Sequence, residues 1–188
     1  MDNRAGLLSA ALNLFAARGF DAVGVQEVAA TAGVTKPTLY HFFGSKVGLL
    51  EALFDEYARP LDEAVAAAAD YAGDLPATLG RVIGAYLDFA AREPVYYRLE
   101  LAACFAPRDG DPYRLAVAHF TRRHQALETL FRKAAKDHGN MRGREQRYAV
   151  SLIGHVNAYA ALGLDGRIVI TEKVRQDLAQ QFSHGIYS

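Results

Sequence analysis

The chain has 188 residues, 51% of them hydrophobic and 22% charged, with 21 basic residues balanced by 21 acidic ones. That length is ample for a stable core and fits one large or two small domains, while zero net charge excludes a broadly cationic protein that would cling to any nucleic acid. No apolar run reaches the roughly 20 residues needed to cross a membrane, and no basic segment with an apolar signal core opens the chain, so a cytoplasmic protein is expected.

A first helix is predicted from about Asn3 to Arg18, where Leu7, Leu8, Ala11, Leu12 and Phe15 recur at helical spacing and Gly19 is the stop. Two short helices joined by a turn should follow. Val25, Val28 and Ala29 give the first of them one small apolar face, and Gly33 falls where the chain must turn with a positive φ that glycine adopts cheaply. Val34 would plug the angle between the two. Thr35 is a good N-cap for the second helix, its hydroxyl placed to accept from the backbone N–H of Thr38, and Pro37 sits in the first turn where a missing N–H costs nothing. Leu39, Phe42 and Phe43 are available for burial, which leaves Thr35, Lys36, Pro37, Thr38, Tyr40 and His41 outside. This is a helix-turn-helix, and such a recognition helix meets base edges with its N-terminal residues.

The residues Gly19-Phe20, Val28-Ala29, Ala32-Gly33-Val34-Thr35, Thr38-Leu39-Tyr40, Phe43, Ser45-Lys46 and Leu49-Leu50 resemble the TetR family of bacterial transcriptional repressors, closely over the first quarter of the chain and beyond it in architecture only. The resemblance implies an all-α protein: a homeodomain-like three-helix DNA-binding domain over residues 1–46 and a helical effector-binding and dimerisation domain over 47–188. It further implies a homodimeric repressor of a palindromic operator, released by a small-molecule effector. Three positions depart from the family pattern. Gly24 stands where Ser or Thr usually opens the first helix of the motif and touches a phosphate, Phe42 replaces a usual His or Tyr, and Val47 replaces an acidic residue, so modest DNA affinity is expected. Lys36 can reach guanine O6 or N7, Gln26 can pair with adenine, and the methyls of Thr35 or Thr38 can touch thymine, while Tyr40, His41 and Lys46 suit phosphate.

Ser45 should cap a long fourth helix whose apolar stripe runs Leu49, Leu50, Leu53, Phe54, Tyr57, Leu61 and Val65, with Pro60 kinking or breaking it near Arg59 and making it a lever. Asp74 and Pro76 open the next helix and Pro94 another. Residues 106–111 read as a loop, after which Asp111-Pro112 starts a long helix ending near His138-Gly139. From about Gly143 to Leu162 the chain is apolar nearly all round, the pattern of a helix buried on several sides, and Thr171 opens a last helix carrying Val174, Leu178, Phe182 and Ile186. In the resembled family the last two helices of each subunit form a four-helix bundle. The expected interface is therefore Tyr148, Leu152, Val156, Val174, Leu178 and Phe182, with an ordinary monomeric core as the alternative. A two-fold dimer reads an inverted repeat whose half-sites lie roughly 34 Å apart or a multiple of it.

The C-terminal part is rich in aromatic residues. Tyr86, Phe89, Tyr96, Phe105, Phe120 and Tyr159, with His124 as a polar group, are candidates to line a site for a small apolar or aromatic effector, the alternative being that they are core. No enzyme, cofactor or metal is expected. His119 and His124 are five apart and so do not share a helical face, no serine sits on a nucleophile elbow, no glycine loop suits phosphate, and the lone Cys104 forbids an internal disulfide. Two other readings stay open: a DNA-bound scaffold or activator that recruits another protein, and a ligand-binding dimer whose DNA domain has weakened.

Overall fold

A computed structural model describes residues 2–184 of the chain, so Ile186, expected on the last helix, lies outside the described residues. Among those residues there is no strand, and the helices are α1 (Asn3–Arg18), α2 (Val25–Thr31), α3 (Lys36–Phe43), α4 (Lys46–Ala68), α5 (Leu75–Arg92), α6 (Pro94–Cys104), α7 (Asp111–Ala134), α8 (Glu145–Leu164) and α9 (Glu172–His184). The caps explain most of these limits. Asp2 accepts from Arg4 N–H at 2.9 Å to start α1, Ser45 Oγ accepts from Gly48 N–H at 2.9 Å to start α4, and Asp74 accepts from Ala77 N–H at 2.9 Å to start α5.

Two limits differ from the sequence expectation. α7 ends at Ala134, short of His138, because i→i−3 bonds from Lys136 to Lys133 (3.2 Å) and from Asp137 to Ala134 (3.0 Å) tighten the chain into turns. Tyr71 Oη donates to Asp137 at 2.8 Å and fastens that turn. α8 begins at Glu145, since Gly143 takes φ +77 and so lies outside any right-handed helix. Pro60, expected to kink or break α4, lies inside a helix assigned without interruption from Lys46 to Ala68.

The chain divides into two compact units, Met1–Arg59 with Val95–Ala118 and Pro60–Pro94 with His119–Ser188. In the first, α2 packs on α1 and α3 on α2, and Leu7, Phe15, Val28, Ala29, Leu39, Leu49, Leu50 and Leu53 are all at most 1% exposed. Aromatic rings extend this core: Phe15 meets Phe20 edge to face with centroids 5.3 Å apart, and Tyr96 stacks on Tyr57 at 5.6 Å. In the second unit α5 packs against both α8 and α9, burying Leu79, Val82 and Ile83 with Leu152, Val156 and Leu178. No helix among the described residues is long and apolar enough to cross a membrane.

One close approach joins α3 to α4. A Cβ placed on Gly48 would fall 2.1 Å from the backbone oxygen of Phe43, the last residue of α3, so only glycine lets the first turn of α4 sit against that carbonyl. The obstacle is backbone and cannot rotate away. Gly48→Ala is therefore expected to destabilise the protein by about 1–3 kcal/mol, the usual cost of overpacking. A urea denaturation midpoint equal to that of the wild type would show that the contact is not tight.

Candidate functional site

The geometry of the helix-turn-helix is set by its backbone. At Gly33, with φ +70, the chain leaves α2 and the N–H of Val34 bonds back to the carbonyl of Ala29 at 2.9 Å, the six-to-one bond of a glycine-terminated helix. Two residues later Thr35 turns the chain into α3: its Oγ1 accepts from Thr38 N–H at 3.4 Å and lies 2.8 Å from Thr38 Oγ1. The two hydroxyls thus fix each other at the exposed start of the helix. Gly24, at the start of α2, makes no side-chain cap bond, as its missing hydroxyl requires.

Leu39, wholly buried, faces inward and orients the rest of α3. Thr35, Lys36, Pro37, Tyr40 and His41 are exposed and Thr38 is half-buried, while Gln26 is exposed on α2 and Lys46 is half-buried at the start of α4. Phe42 departs from expectation. Its sequence makes it available for burial, yet it is 41% exposed because α3 has one inward stripe, which Leu39 and the half-buried Phe43 occupy. Its ring lies edge-on to His41, with centroids 5.6 Å apart.

The cations Arg4 and Arg18 of α1, Lys36 of α3 and Lys46 of α4 fall into two kinds. Arg4 pairs with Glu56 at 3.3 Å, and Arg18 pairs with Glu27 and also donates to the carbonyl of Ala22, so carboxylates offset both charges. The lysines are held by rings instead. Lys46 Nζ stands 4.2 Å from the centroid of Phe20, and Lys36 Nζ stands 5.6 Å from that of Tyr40. A ring face orients an ammonium without cancelling its charge. One oriented positive charge therefore stands at the start of α3 and another just past its end. Sequence reasoning misses Phe20 as the platform for Lys46, because the two residues are far apart in the chain. It misses Gly48 as well, whose need for an absent side chain shows only in three dimensions.

The candidate ligand residues are spread over both units. Tyr86 and Phe89 on α5 are 3% and 1% exposed, Tyr96 on α6 is fully buried, and Phe105, just past the end of α6, is 89% exposed and so offers no enclosed surface. Phe120 and His124 do come together, stacked along α7 with centroids 6.2 Å apart. His124 Nε2 lies 3.1 Å from Glu128 Oε1, while its buried Nδ1 has no hydrogen-bond partner. Tyr159 donates to Gln181 Oε1 at 3.3 Å. Among the described residues no cluster of three His, Cys, Asp or Glu could hold a metal ion.

The expected interface residues are mostly turned inward. Leu152, Val156 and Leu178 are fully buried, and Tyr148 and Phe182 lay their rings on buried Phe131 with centroids 5.6 and 6.0 Å away. Val174 is half-buried. The single chain uses these side chains for its own core, so the free surface of α8 is a different stripe: Arg147, Val150, Ser151, Gly154 and Ala158.

Comparison with known proteins agrees with this geometry. The family described as bacterial regulatory proteins, tetR family, matches residues 7–53. The transcriptional activator FasR of Mycolicibacterium smegmatis is 29% identical over 152 residues, covering 81% of this chain and 68% of that protein. The transcriptional repressor BdcR of Escherichia coli is 50% identical over 50 residues, 27% of this chain and 25% of that protein. The crystal structure of the transcriptional regulator FadR of Bacillus subtilis, in complex with stearoyl-CoA, superposes with a TM-score of 0.80 at 15% identity, covering 97% of this chain and 99% of that one.

Proposed function

The chain belongs to the TetR family of bacterial transcriptional regulators, and from that premise we propose that it is a homodimeric repressor that reads an inverted repeat and is released by a small apolar effector. The observation that carries the DNA-reading part is the exposed start of α3, where Thr35, Lys36, Pro37 and Tyr40 stand clear, with the uncancelled charge of Lys36 there and that of Lys46 just past the end of the helix. Residues 1–46 supply the reading head and 47–188 the effector and dimer surfaces. Lys36 and Gln26 are assigned to base edges, Thr35 and Thr38 to thymine methyls, and Tyr40, His41 and Lys46 to phosphates.

Dimerisation is assigned to the outward stripe of α8 together with α9. Val150 is 56% exposed, and Gly154 and Ala158 present little bulk, which allows a second helix to approach closely. For the effector, Phe120 and His124 are the favoured contacts, with Tyr86, Phe89 and Tyr159 in the same unit. FadR's complex with stearoyl-CoA supports a ligand with a long apolar part. By linkage, an effector that prefers a conformation unsuited to the operator weakens DNA binding by the coupling free energy, typically about 1–3 kcal/mol. Activation is the second reading. It is favoured by FasR, an activator whose likeness extends well beyond the reading head, and a reporter carrying the operator separates the two by whether transcription falls or rises when the protein is supplied.

Selection of genomic fragments by the purified protein at near-physiological salt tests the reading. An enriched inverted repeat is expected, and recovery of no motif would sink sequence-specific regulation. Lys46→Ala should weaken binding to all sequences alike and lower the slope of log K against log salt by about 0.9 for each phosphate that the variant no longer neutralises. An unchanged slope would remove Lys46 from the phosphate-binding set. Gly154→Arg should turn the dimer into a monomer in light scattering and abolish tight operator binding. Since a Cβ there meets nothing within 4 Å in its own chain, the folded protomer should survive, and a dimer that persists would move the interface elsewhere.

A further inference from the structure

The second unit holds an apolar cleft that none of the candidate effector contacts lines. It measures about 400 Å³ and lies between Leu87 and Ala91 of α5, Ala160 and Leu164 of α8, and Ile168 and Ile170 of the loop that leads to α9, with Arg175 of α9 at its edge. That volume is in the range of small-molecule sites. The loop wall is fixed by a close approach: a Cβ on Gly163 would fall 2.8 Å from Ile170 Cγ1, so Ile170 rests directly on the α8 backbone. The wall is also apolar where a loop is usually polar. Val169, at its tip, is 77% exposed.

The single charge in the lining is a guanidinium. Arg175 Nη2 donates to Asp88 Oδ1 at 2.6 Å, and its Nη1 and Nε have no hydrogen-bond partner among the described residues. Asp88 is 62% exposed and Arg175 24%, so the carboxylate partner is well hydrated and readily shared or replaced. Asp88 shows where one carboxylate oxygen sits on this fork. An arginine fork has donors for a second anion beside the first.

We propose that this cleft binds an amphiphilic monoanion, a free medium-chain carboxylate whose head group pairs with Arg175 and whose acyl chain lies along Leu87, Leu164, Ile168 and Ile170. Two features together favour it: an apolar trough of about 400 Å³, and one oriented cation with spare donors at its rim. The site stands apart from the assigned effector contacts and does not depend on DNA binding.

Isothermal titration calorimetry of the full chain without DNA, using decanoate below its micelle concentration and decanol as the uncharged analogue, tests it. Decanoate should bind once per chain, and decanol about ten-fold more weakly, the worth of one charge-assisted contact. Arg175→Gln should bring decanoate down to the level of decanol and leave decanol unchanged. Asp88→Asn should tighten decanoate several-fold by removing the competing carboxylate, an effect in the direction opposite to simple structural damage. Ala91→Leu, a change at an exposed position, should weaken both ligands by filling the trough. No heat with either ligand overturns the proposal, and so does decanoate binding unaffected by Arg175→Gln. Operator binding measured on the same preparations separates the two readings: if it persists while decanoate fails, only the cleft is lost.

Discussion

Helices of seven and eight residues do not hold themselves in water, where isolated helices shorter than about 12–15 residues are marginal even with favourable sequences. α2 and α3 therefore exist only because they are buried against something longer. Val28, Ala29 and Leu39 fill that role from their side, and Leu7 and Phe15 of α1 with Leu49 and Leu50 of α4 complete the same core. A fully buried Leu contributes roughly 1.5–3 kcal/mol, so a handful of such residues outweighs the poor propensity of two short segments. The join between α3 and α4 tightens this dependence. Ser45 N–H bonds to the carbonyl of Phe43 at 2.7 Å, and the missing side chain of Gly48 lets the next turn close over the same carbonyl. The direction in which the reading helix points is thus inherited from the start of α4.

Zero net charge is the main sequence-level objection to a DNA-binding protein, and the local geometry answers it. Where a carboxylate holds a cation, as for Arg4 and Arg18, little charge remains to attract phosphate. Where an aromatic ring holds it, as Phe20 holds Lys46, the side chain is oriented and its charge is still available. Few cations are needed if those near the groove are of the second kind. Phosphate attraction scales with the number of charges engaged, so an even balance over the whole chain adds little non-specific attraction.

Local signals are legible in the sequence and spatial ones are not. Thr35, Ser45 and Asp74 cap the helices that their positions predict, because a capping hydroxyl or carboxylate acts on a backbone two or three residues away. The end of α7 escapes such reasoning. Ala135 to His138 continue a helical composition, and the chain leaves the helix there through bonds of mixed spacing, i→i−3 at Lys136 and Asp137 and i→i−4 at His138. For aromatic residues periodicity does not tell a pocket from a core or a surface, and Tyr96, fully buried, and Phe105, largely exposed, look alike in the sequence. The face that a nearly all-apolar helix presents outward is likewise undetermined by its own pattern. In α8 it is fixed by α5 and α9, which take Leu152 and Val156 for themselves.

That choice of faces bears on how two chains can meet. A helix that turns its large residues inward leaves the small ones outside, and α8 accordingly shows Gly154 and Ala158 where solvent-exposed helices usually carry long polar side chains. Left in water, the stripe gains nothing from its glycine, which costs a helix interior about 1 kcal/mol relative to alanine. Covered by a second helix, the same glycine permits a close backbone approach, and Val150, 56% exposed in the single chain, is taken out of water. The composition of this face is thus unfavourable for the isolated chain and favourable for a paired one.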